Sequence, residues 1–383
     1  MEKEIKTVVP ALRFPEFQGM IGWEKTYIYE VCPNPYSGGT PKTTEKKYYG
    51  GNIPFIRSAE IGKDKTELSI TQEGLNSSSA KMIQKGDLLI ALYGANSGDI
   101  AISKIDGAIN QAILCLKAKS NNLFIYYTLL KKQKDIVSKY LQGGQGNLSG
   151  EIIKSIDFYI PQEIEQQKIA NCLSSLDELI EATAQKVRAL EKHKKGLMQR
   201  LFPAEGKNMP DLRFPEFQGM KGWEKKQVKD FGEIITGNTP SKKEEKYWNG
   251  DFVWVTAQDF KGKYINDSIL KLTKFGKDKA RVIPKDSVLV TCIASIGLNA
   301  INKVECSTNQ QINTICCNQE YNYEYVYYLV AYNTKNLKQL AGQTAVPIIT
   351  KKSFEEFEVY AIKNYDEQNR IANCLSSLDE LIE

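Results

Sequence analysis

The sequence predicts an α/β protein of the α+β type, with two copies of one domain separated by long antiparallel coiled-coil helices. In each copy we expect a twisted, largely antiparallel sheet. Two observations predict the duplication: residues 12–25 and 212–225 differ at one of fourteen positions, and ANCLSSLDELIE occurs at both 170–181 and 372–383. A third is that short runs of Ile, Leu and Val recur at matching places between these flanks. The chain is therefore one unit of about 200 residues present twice.

The interior of each copy predicts four strands followed by a helix. The strands are expected at 52–58, 87–93, 99–105 and 112–118, and again at 251–256, 287–293, 298–304 and 312–317. Short apolar runs bounded by Gly, Asn and Asp are typical of an antiparallel sheet. The helices are expected at 123–141 and 323–340, because each follows asparagines and precedes a glycine.

A long helix over residues 162–201 has the clearest periodic signal. Steps of four and three residues alternate along it from Ile169, which is the seam of a coiled coil, and Thr183 and Lys194 are its polar positions. At 1.5 Å per residue this helix is about 60 Å long. The same stripe begins again at Ile371, and the sequence ends at Glu383. We expect the two helices to pair antiparallel within the chain, with pairing between chains as the alternative.

These patterns divide the chain into four parts. The first domain covers residues 1–161, and the central helix with its linker covers 162–206. The second domain covers 207–364, and a short distal helix covers 365–383.

Composition narrows the class of function. The net charge of +5 and the pI of about 8.5 permit nucleic-acid binding without requiring it. No apolar run approaches a membrane span and the first residues lack a secretory signal, so we expect a cytoplasmic protein with its eight cysteines reduced. The sequence has a single histidine, His193, and no phosphate-binding loop. We therefore do not expect this chain to catalyse a reaction or to bind a cofactor or a metal.

Two polar motifs recur in both copies and supply candidate DNA-binding residues. The first is Gly-x-Thr-Pro, with the candidates Thr40, Lys42, Thr239, Ser241 and Lys242. Its glycine allows a close approach of the backbone to a ligand, and its hydroxyl and lysine suit phosphates or base edges, but a plain turn explains it equally well. The second is Asn-Gln, with the candidates Asn110, Gln111, Asn309 and Gln310. Side-chain amides suit adenine, yet recurrence favours a structural role, because domains that bind different bases should differ at those positions.

Residues that differ between equivalent places are therefore the candidates for base recognition. They are Arg57, Ser58, Tyr93, Asn96, Gln145 and Asn147 in the first copy, and Thr256, Gln258, Gln343 and Thr344 in the second. Arginine suits guanine and glutamine suits adenine in the major groove.

Taken together, these features resemble the specificity subunit of a type I restriction–modification system. The resemblance covers the whole chain and rests on L-R-F-P-E-F at 12–17 and 212–217, the two polar motifs, and the similar helix entries at 163–170 and 366–372. It implies two target-recognition domains, each of which binds one half of a bipartite, asymmetric double-stranded DNA target. The helices would set the gap between the halves and bind two methylation subunits, which restriction subunits then join.

The same resemblance implies that the partner subunits, and not this chain, hold S-adenosylmethionine and ATP. The short distal helix departs from the family pattern. The alternative function is a repeat-built scaffold for protein interactions without direct DNA contact, which the mild net charge also allows. Such a scaffold would show no salt-dependent affinity for duplex DNA.

Overall fold

The structure, a computed structural model, describes residues 7–141, 147–342 and 346–383. The chain divides into two compact units, residues 1–182 and 183–383, and the boundary lies inside the long central helix. Within the described residues, no helix is both long and apolar enough to cross a membrane.

The described residues of the first unit form three sheets, with helices packed on them. Its strands are β1 Thr7–Val8, β2 Trp23–Tyr27, β3 Tyr36–Ser37, β4 Tyr49–Ile56, β5 Leu68–Ile70, β6 Lys81–Ile83, β7 Leu88–Ala91, β8 Ile100–Ile102, β9 Gly107–Ile109, β10 Ile113–Leu116 and β11 Asp157–Ile160. Its helices are α1 Ile28–Val31, α2 Gln72–Asn76, α3 Asn122–Leu141, α4 Gly150–Lys154 and the beginning of α5 Glu163–Leu201. The strand orders are β1-β2-β11, β3-β10-β7-β8 and β5-β4-β9-β6.

The second unit repeats this plan with small changes. Its strands are β12 Glu224–Gln227, β13 Gly232–Thr236, β14 Trp248–Val255, β15 Tyr264–Ile265, β16 Leu270–Leu272, β17 Val288–Thr291, β18 Asn299–Asn302, β19 Ser307–Thr308, β20 Ile312–Cys317 and β21 Glu358–Ala361. Its helices are the end of α5 together with α6 Lys274–Lys277, α7 Tyr323–Tyr332, α8 Thr334–Gln339, α9 Lys351–Glu355 and α10 Tyr365–Ile382. The strand orders are β12-β21, β13-β20-β17-β18-β15 and β16-β14-β19.

The predicted α+β class is confirmed, and most strand pairs are antiparallel. The exceptions are β4 with β9, β14 with β19 and β15 with β18, which are parallel. Helix α3 agrees with the prediction, but the helix expected at 323–340 is divided into α7 and α8. Asn333 lies at the division, where its side-chain amide donates to the carbonyl of Leu329 at 2.8 Å. An asparagine amide that bonds to the backbone in this way competes with the helical pattern.

The central sheet of each unit is buried on both faces. In the first unit Leu88 and Ile90 pack with Phe124 and Ile125 of α3, whereas Leu89 belongs to a cluster on the opposite face. Alternate residues of a strand point to opposite faces, so the apolar run of β7 covers both sides. In the second unit Tyr325 and Tyr328 of α7 are fully buried, as expected for tyrosines that pack in the core.

The start of each repeat is joined to the entry of its long helix by an ion pair. Arg13 donates from Nε to Oε1 of Glu165 at 2.8 Å and from Nη2 to Oε2 at 2.7 Å. Arg213 donates to Glu367 through the same atoms, at 2.8 Å for both bonds. Two of the motifs that define the repeat therefore contact each other in both units.

Helix α5 has the bounds that its apolar stripe predicts, to within one residue. Its polar seam position Lys194 forms an ion pair with Asp379 of α10 in the second unit. In the first unit, the seam positions Leu176 and Ile180 are exposed. Pairing along the whole seam therefore stays a prediction.

Candidate functional site

The two recurring polar motifs contact each other in both units. Thr40 donates a hydrogen bond from Oγ1 to Oε1 of Gln111 at 2.7 Å. Thr239 donates in the same way to Gln310 at 2.6 Å. Each pair lies 71 residues apart in the chain, so the fold assembles one polar group from two distant loops.

The glycine of the first motif serves the packing of the loop. A Cβ atom at Gly38 would lie 1.7 Å from the carbonyl oxygen of Ile109, and one at Gly237 would lie 2.1 Å from Oγ1 of Thr308. Only glycine allows such a close approach. The sequence allowed either a close approach to a ligand or a plain turn. In both units the glycine packs against the backbone and side chains of the unit's own strands, which favours the structural interpretation.

The asparagines of the second motif close their own turns. Oδ1 of Asn110 accepts a hydrogen bond from the amide of Ala112 at 3.1 Å, and Oδ1 of Asn309 accepts one from the amide of Gln311 at 3.0 Å. A short polar side chain that bonds to the backbone two residues ahead stabilises a turn. These contacts favour the structural interpretation for the asparagines, while Gln111 and Gln310 are exposed.

In the second unit, six predicted site residues line one open cavity of about 490 Å³. They are Thr239, Lys242, Thr256, Gln258, Asn309 and Gln310. Lys242 and Gln258 are exposed, and no hydrogen bond or ion pair engages either side chain within the described part of the chain. Ser241 lies beside the cavity, where its carbonyl accepts a hydrogen bond from Nε1 of Trp248 at 3.1 Å.

Trp254, Ile269 and Leu270 form an apolar wall of this cavity that was not predicted from the sequence. Trp254 is almost fully buried and donates from Nε1 to the carbonyl of Asn238 at 3.2 Å. Trp254 lies in β14, Leu270 begins β16 and Ile269 precedes it. Apolar and aromatic residues in strands are typical of the core, so the sequence pattern does not distinguish these three from core residues.

Arg57, the residue expected to bind guanine, is engaged by carboxylates of its own unit. Its Nε donates to Oε2 of Glu60 at 3.0 Å, and its Nη2 donates to Oε2 of Glu67 at 2.5 Å. These hydrogen bonds raise the pKa of Arg57. Burial raises the pKa of Glu60. Hydrogen bonds from the Arg57 side chain and from two backbone amides lower this pKa by more than burial raises it, so the net pKa is below the ordinary value. This geometry favours a structural role for Arg57.

The residue equivalent to Arg57 is also engaged locally. Thr256 donates from Oγ1 to Oδ2 of Asp259 at 2.9 Å, and its amide donates to the same oxygen at 2.7 Å. Ser58, half-buried, begins the short 3-10 turn that follows Arg57. Gln258 lies inside the corresponding turn of the second unit. Of the four candidates Arg57, Ser58, Thr256 and Gln258, it is the exposed one.

A second group of candidates lies beyond the end of β7. Tyr93 is 39% exposed, and Asn96 donates from Nδ2 to Oδ2 of Asp99 at 2.9 Å. The amide of Leu148 donates to the carbonyl of Leu92 at 2.9 Å, which brings the exposed Asn147 close to Tyr93. Gln145, Gln343 and Thr344, the other candidates in these loops, lie outside the described residues.

Both groups lie at the same end of the central sheet. The amide of Leu92 donates to the carbonyl of Ala112 at 2.8 Å, and in the second unit the amide of Cys292 donates to the carbonyl of Gln311 at 2.7 Å. Here we define the polar edge as Thr40, Lys42, Tyr93, Gln111 and Asn147 in the first unit, and Thr239, Lys242, Gln258 and Gln310 in the second. Hydroxyl, amide and ammonium groups of this kind bind phosphates and base edges.

Comparisons with known proteins agree with a duplicated chain of this kind. A family model described as the type I restriction modification DNA specificity domain matches residues 20–192 and 220–383. The chain is 35% identical over 170 residues to the specificity subunit of the type I restriction enzyme MjaIX from Methanocaldococcus jannaschii, a match that covers 43% of this chain and 39% of that protein. It is 23% identical over 386 residues to the HindI specificity subunit of Haemophilus influenzae, covering 80% of this chain and 84% of that one.

A solved structure has the same fold over nearly the whole chain. It is the S subunit of a type I restriction–modification system from M. genitalium, with a TM-score of 0.67 and 18% sequence identity. The match covers 98% of this chain and 93% of that chain. A similarity at this level of identity concerns the fold alone.

Proposed function

Because the chain belongs to the type I restriction–modification DNA specificity family, we propose that each of its two units binds one half of a bipartite, asymmetric DNA target. The chain is a non-catalytic specificity subunit, which selects the sequence on which the complex acts. The observation that carries the proposal is the polar edge. The same Thr–Gln contact builds it in both units, while the side chains around that contact differ.

An asymmetric target requires different side chains around the Thr–Gln contact that the two units share. Two identical subunits on a two-fold axis bind a palindrome, whereas two diverged domains in one chain can bind unrelated half-sites. In the second unit, the free amide of Gln258 can bond to both N6 and N7 of adenine. Lys42 and Lys242 are the residues proposed to contact phosphates, which position the protein without selecting a sequence.

We further propose that the helices set the gap between the half-sites. The 39 residues of α5 give a length of about 60 Å, which is less than two turns of DNA at about 34–36 Å per turn. Half-sites about one turn apart are within that length. The proposed domains are residues 1–161 and 207–364, with scaffold segments 162–206 and 365–383.

The proposed partners are double-stranded DNA, two methylation subunits and the restriction subunits that join them in the cytoplasm. S-adenosylmethionine and ATP belong to those partners in this proposal. In this proposal the chain selects the target sequence on the DNA, and its helices provide the surface on which the methylation subunits assemble.

The test is a map of methylated DNA from cells that carry the methylation and restriction subunits, with and without this chain. We expect an N6-methyladenine motif of two short blocks around a fixed gap, which disappears when the chain is deleted and returns on complementation. If no methylated motif depends on the chain while the methylation subunits are active, the proposal is wrong. The protein-interaction scaffold then becomes the better hypothesis.

A further inference from the structure

A strongly basic segment lies next to the polar edge of the second unit. Residues 271–285 contain six lysine or arginine residues and one aspartate, whereas the equivalent residues 69–85 contain two lysines and one glutamate. The segments are equivalent because each begins in the strand paired with β14 or β4 and then passes the isoleucine that pairs with Cys306 or Gly107. The high positive charge is therefore a property of the second unit and not of the repeat.

Four of the six cations have no carboxylate partner within the described residues. Lys271 forms an ion pair with Asp267, and Lys277 forms one with Glu305. The other four side chains are exposed, and no ion pair engages them in the described part of the chain. They are Lys274, Lys279, Arg281 and Lys285. Exposed cations of this kind remain available to an anion from outside the chain.

Two of these four residues are fastened to the loop that begins the polar edge. Oδ1 of Asn238 accepts a hydrogen bond from the amide of Arg281 at 2.7 Å, and Nδ2 of Asn238 donates to the carbonyl of Lys279 at 2.8 Å. Nη1 of Arg281 donates to the carbonyl of Thr236 at 2.7 Å. Thr239 of the polar edge directly follows Asn238. Lys279 and Arg281 therefore lie beside the candidate site, on a backbone that the site's own loop holds.

The first unit lacks this arrangement. Gly39 occupies the position of Asn238, and a Cβ atom there would lie 2.6 Å from Cβ of Ser79. Ser79 in turn occupies the position of Lys279, four residues before the shared isoleucine. Lys81 keeps the second cation of the pair. The first unit has thus neither the amide that fastens the segment nor one of the two charges.

We propose that Lys279 and Arg281 bind phosphates of the DNA backbone next to the half-site of the second unit. This inference rests on the proposed function and adds to it a phosphate-binding surface that the first unit does not share. Contacts to phosphates fix the position of a protein on the duplex and carry no sequence information. Each phosphate that a cation neutralises steepens the fall of the binding constant with salt, by about 0.9 in the log–log slope.

The experiment uses the full chain assembled with its methylation subunits and two duplexes of equal length, one with the methylated motif and one without it. The dissociation constant of each is measured at several salt concentrations. Lys279→Gln with Arg281→Gln should reduce the salt slope by about 1.8 for both duplexes, at about 0.9 for each lost contact. The preference for the target duplex should stay the same. Both side chains are exposed, so the variant should fold, and its melting temperature checks this.

Two lysines on the other side of β13 provide a control with the same change in net charge. Lys221 and Lys229 are exposed, and no ion pair engages either one within the described residues. Both precede β13, whereas the loop of Asn238 follows it. Lys221→Gln with Lys229→Gln should leave the salt slope unchanged. Arg281→Lys, which keeps the charge, should also leave it unchanged.

Three results would overturn the inference. The first is an unchanged slope in the variant of Lys279 and Arg281, and the second is an equal reduction in the control variant, which would make net charge the cause. The third is weaker binding of the target duplex alone, which would show that the two side chains contact bases. If the unmodified assembly binds both duplexes equally, the proposed function fails, and the slopes still test the phosphate contacts.

Discussion

Arg213 donates two hydrogen bonds to Glu367, from Nε to Oε1 and from Nη2 to Oε2, and each is 2.8 Å long. The two residues are 154 positions apart, and their side chains are 6% and 1% exposed. Arg213 also donates to the carbonyls of Met220 and Lys221. One guanidinium therefore holds the first loop of the second repeat against the entry of α10.

We predict that Arg213→Met destabilises the second unit by about 3–5 kcal/mol, because it leaves the carboxylate of Glu367 buried without its partner. Urea unfolding followed by tryptophan fluorescence measures this loss. Three of the four tryptophans, Trp223, Trp248 and Trp254, lie in the second unit, so the signal reports mainly on it.

The control is the double variant Arg213→Met with Glu367→Met. It should recover part of the lost stability, since neither charge remains buried. If the double variant is as unstable as the single one, the loss comes from packing and not from the unpaired charge.

A second prediction concerns a tyrosine–aspartate contact that recurs in both units. The hydroxyl of Tyr127 donates to Asp177 at 2.7 Å, and that of Tyr328 donates to Asp379. Asp177 is exposed, whereas Tyr328 is fully buried and Asp379 is half-buried. Hydrogen bonds to charged groups contribute about 1.5–3 kcal/mol, and less where water competes.

We therefore expect Tyr328→Phe to cost about 1.5–3 kcal/mol and Tyr127→Phe clearly less. The measurement is the thermal unfolding of each variant, from which its loss of stability relative to the unmodified chain is obtained. Equal losses would contradict the assignment of the difference to burial.

Glu324 predicts how the second unit responds to acid. Burial raises its pKa, but hydrogen bonds from Ser376, Tyr264 and Lys263 lower it more, and the net pKa is below the ordinary value. A lowered pKa in the folded state stabilises the protein above the unfolded value of about 4.3, and this stability is lost as the pH falls through the folded pKa.

We expect the urea midpoint of the second unit to fall below about pH 4. Glu324→Gln should be less stable than the unmodified chain at neutral pH and show a flatter pH dependence between about pH 5 and 3. The measurement is the urea midpoint from tryptophan fluorescence at each pH. Parallel curves for the two proteins would show that other carboxylates determine the response.

Elements with a local pattern could be predicted from the sequence. The stripe of α5 repeats over 39 residues, and the strands β7, β10, β17 and β20 are apolar runs between turn residues. By contrast, β2 and β11 were not predicted. Trp23–Tyr27 is a mostly polar, half-exposed segment whose partner, Asp157–Ile160, lies more than a hundred residues away. Only the tertiary structure makes it a strand.

In the candidate site, too, features with a local sequence pattern could be predicted, and contacts between distant segments could not. Recurrence identified Thr40 and Gln111 separately, but not the hydrogen bond between them, because contact between distant loops has no local signal. Lys263 is a clearer case of a missed residue. It is one of 51 lysine and arginine residues in the sequence, yet its ammonium group is buried and bonded to Glu324, Tyr328 and Ser376. These bonds join the residue that precedes β15 to α7 and α10.

A fourth prediction tests the assignment of one half-site to one unit. Residues 26–160 are exchanged for the equivalent segment of another specificity subunit, which leaves Arg13, Glu165 and α5 unchanged. Because the ion pair that closes the repeat remains, the hybrid should fold. Methylated-motif mapping should show that one block of the target changes while the other block and the gap stay the same. A change in both blocks, or in neither, would contradict the assignment.

The fifth prediction compares two side chains within the proposed recognition surface. Gln258 is exposed and unengaged within the described residues, whereas Arg57 is held by Glu60 and Glu67. Gln258→Ala should therefore relax recognition of one base pair, by about 1–3 kcal/mol, with little effect on folding. Arg57→Ala should lower thermal stability of the first unit, because it leaves the buried carboxylate of Glu60 without its main partner.

The measurements for this pair are the methylated motif and the melting temperature of each variant. Unchanged specificity in Gln258→Ala would remove this residue from the recognition surface. Altered specificity with unchanged stability in Arg57→Ala would show that its guanidinium leaves the two carboxylates to bind a base. The two variants thus distinguish a side chain that contacts DNA from one that shapes the loop beside it, and the distinction rests on which polar groups already have partners in the folded chain.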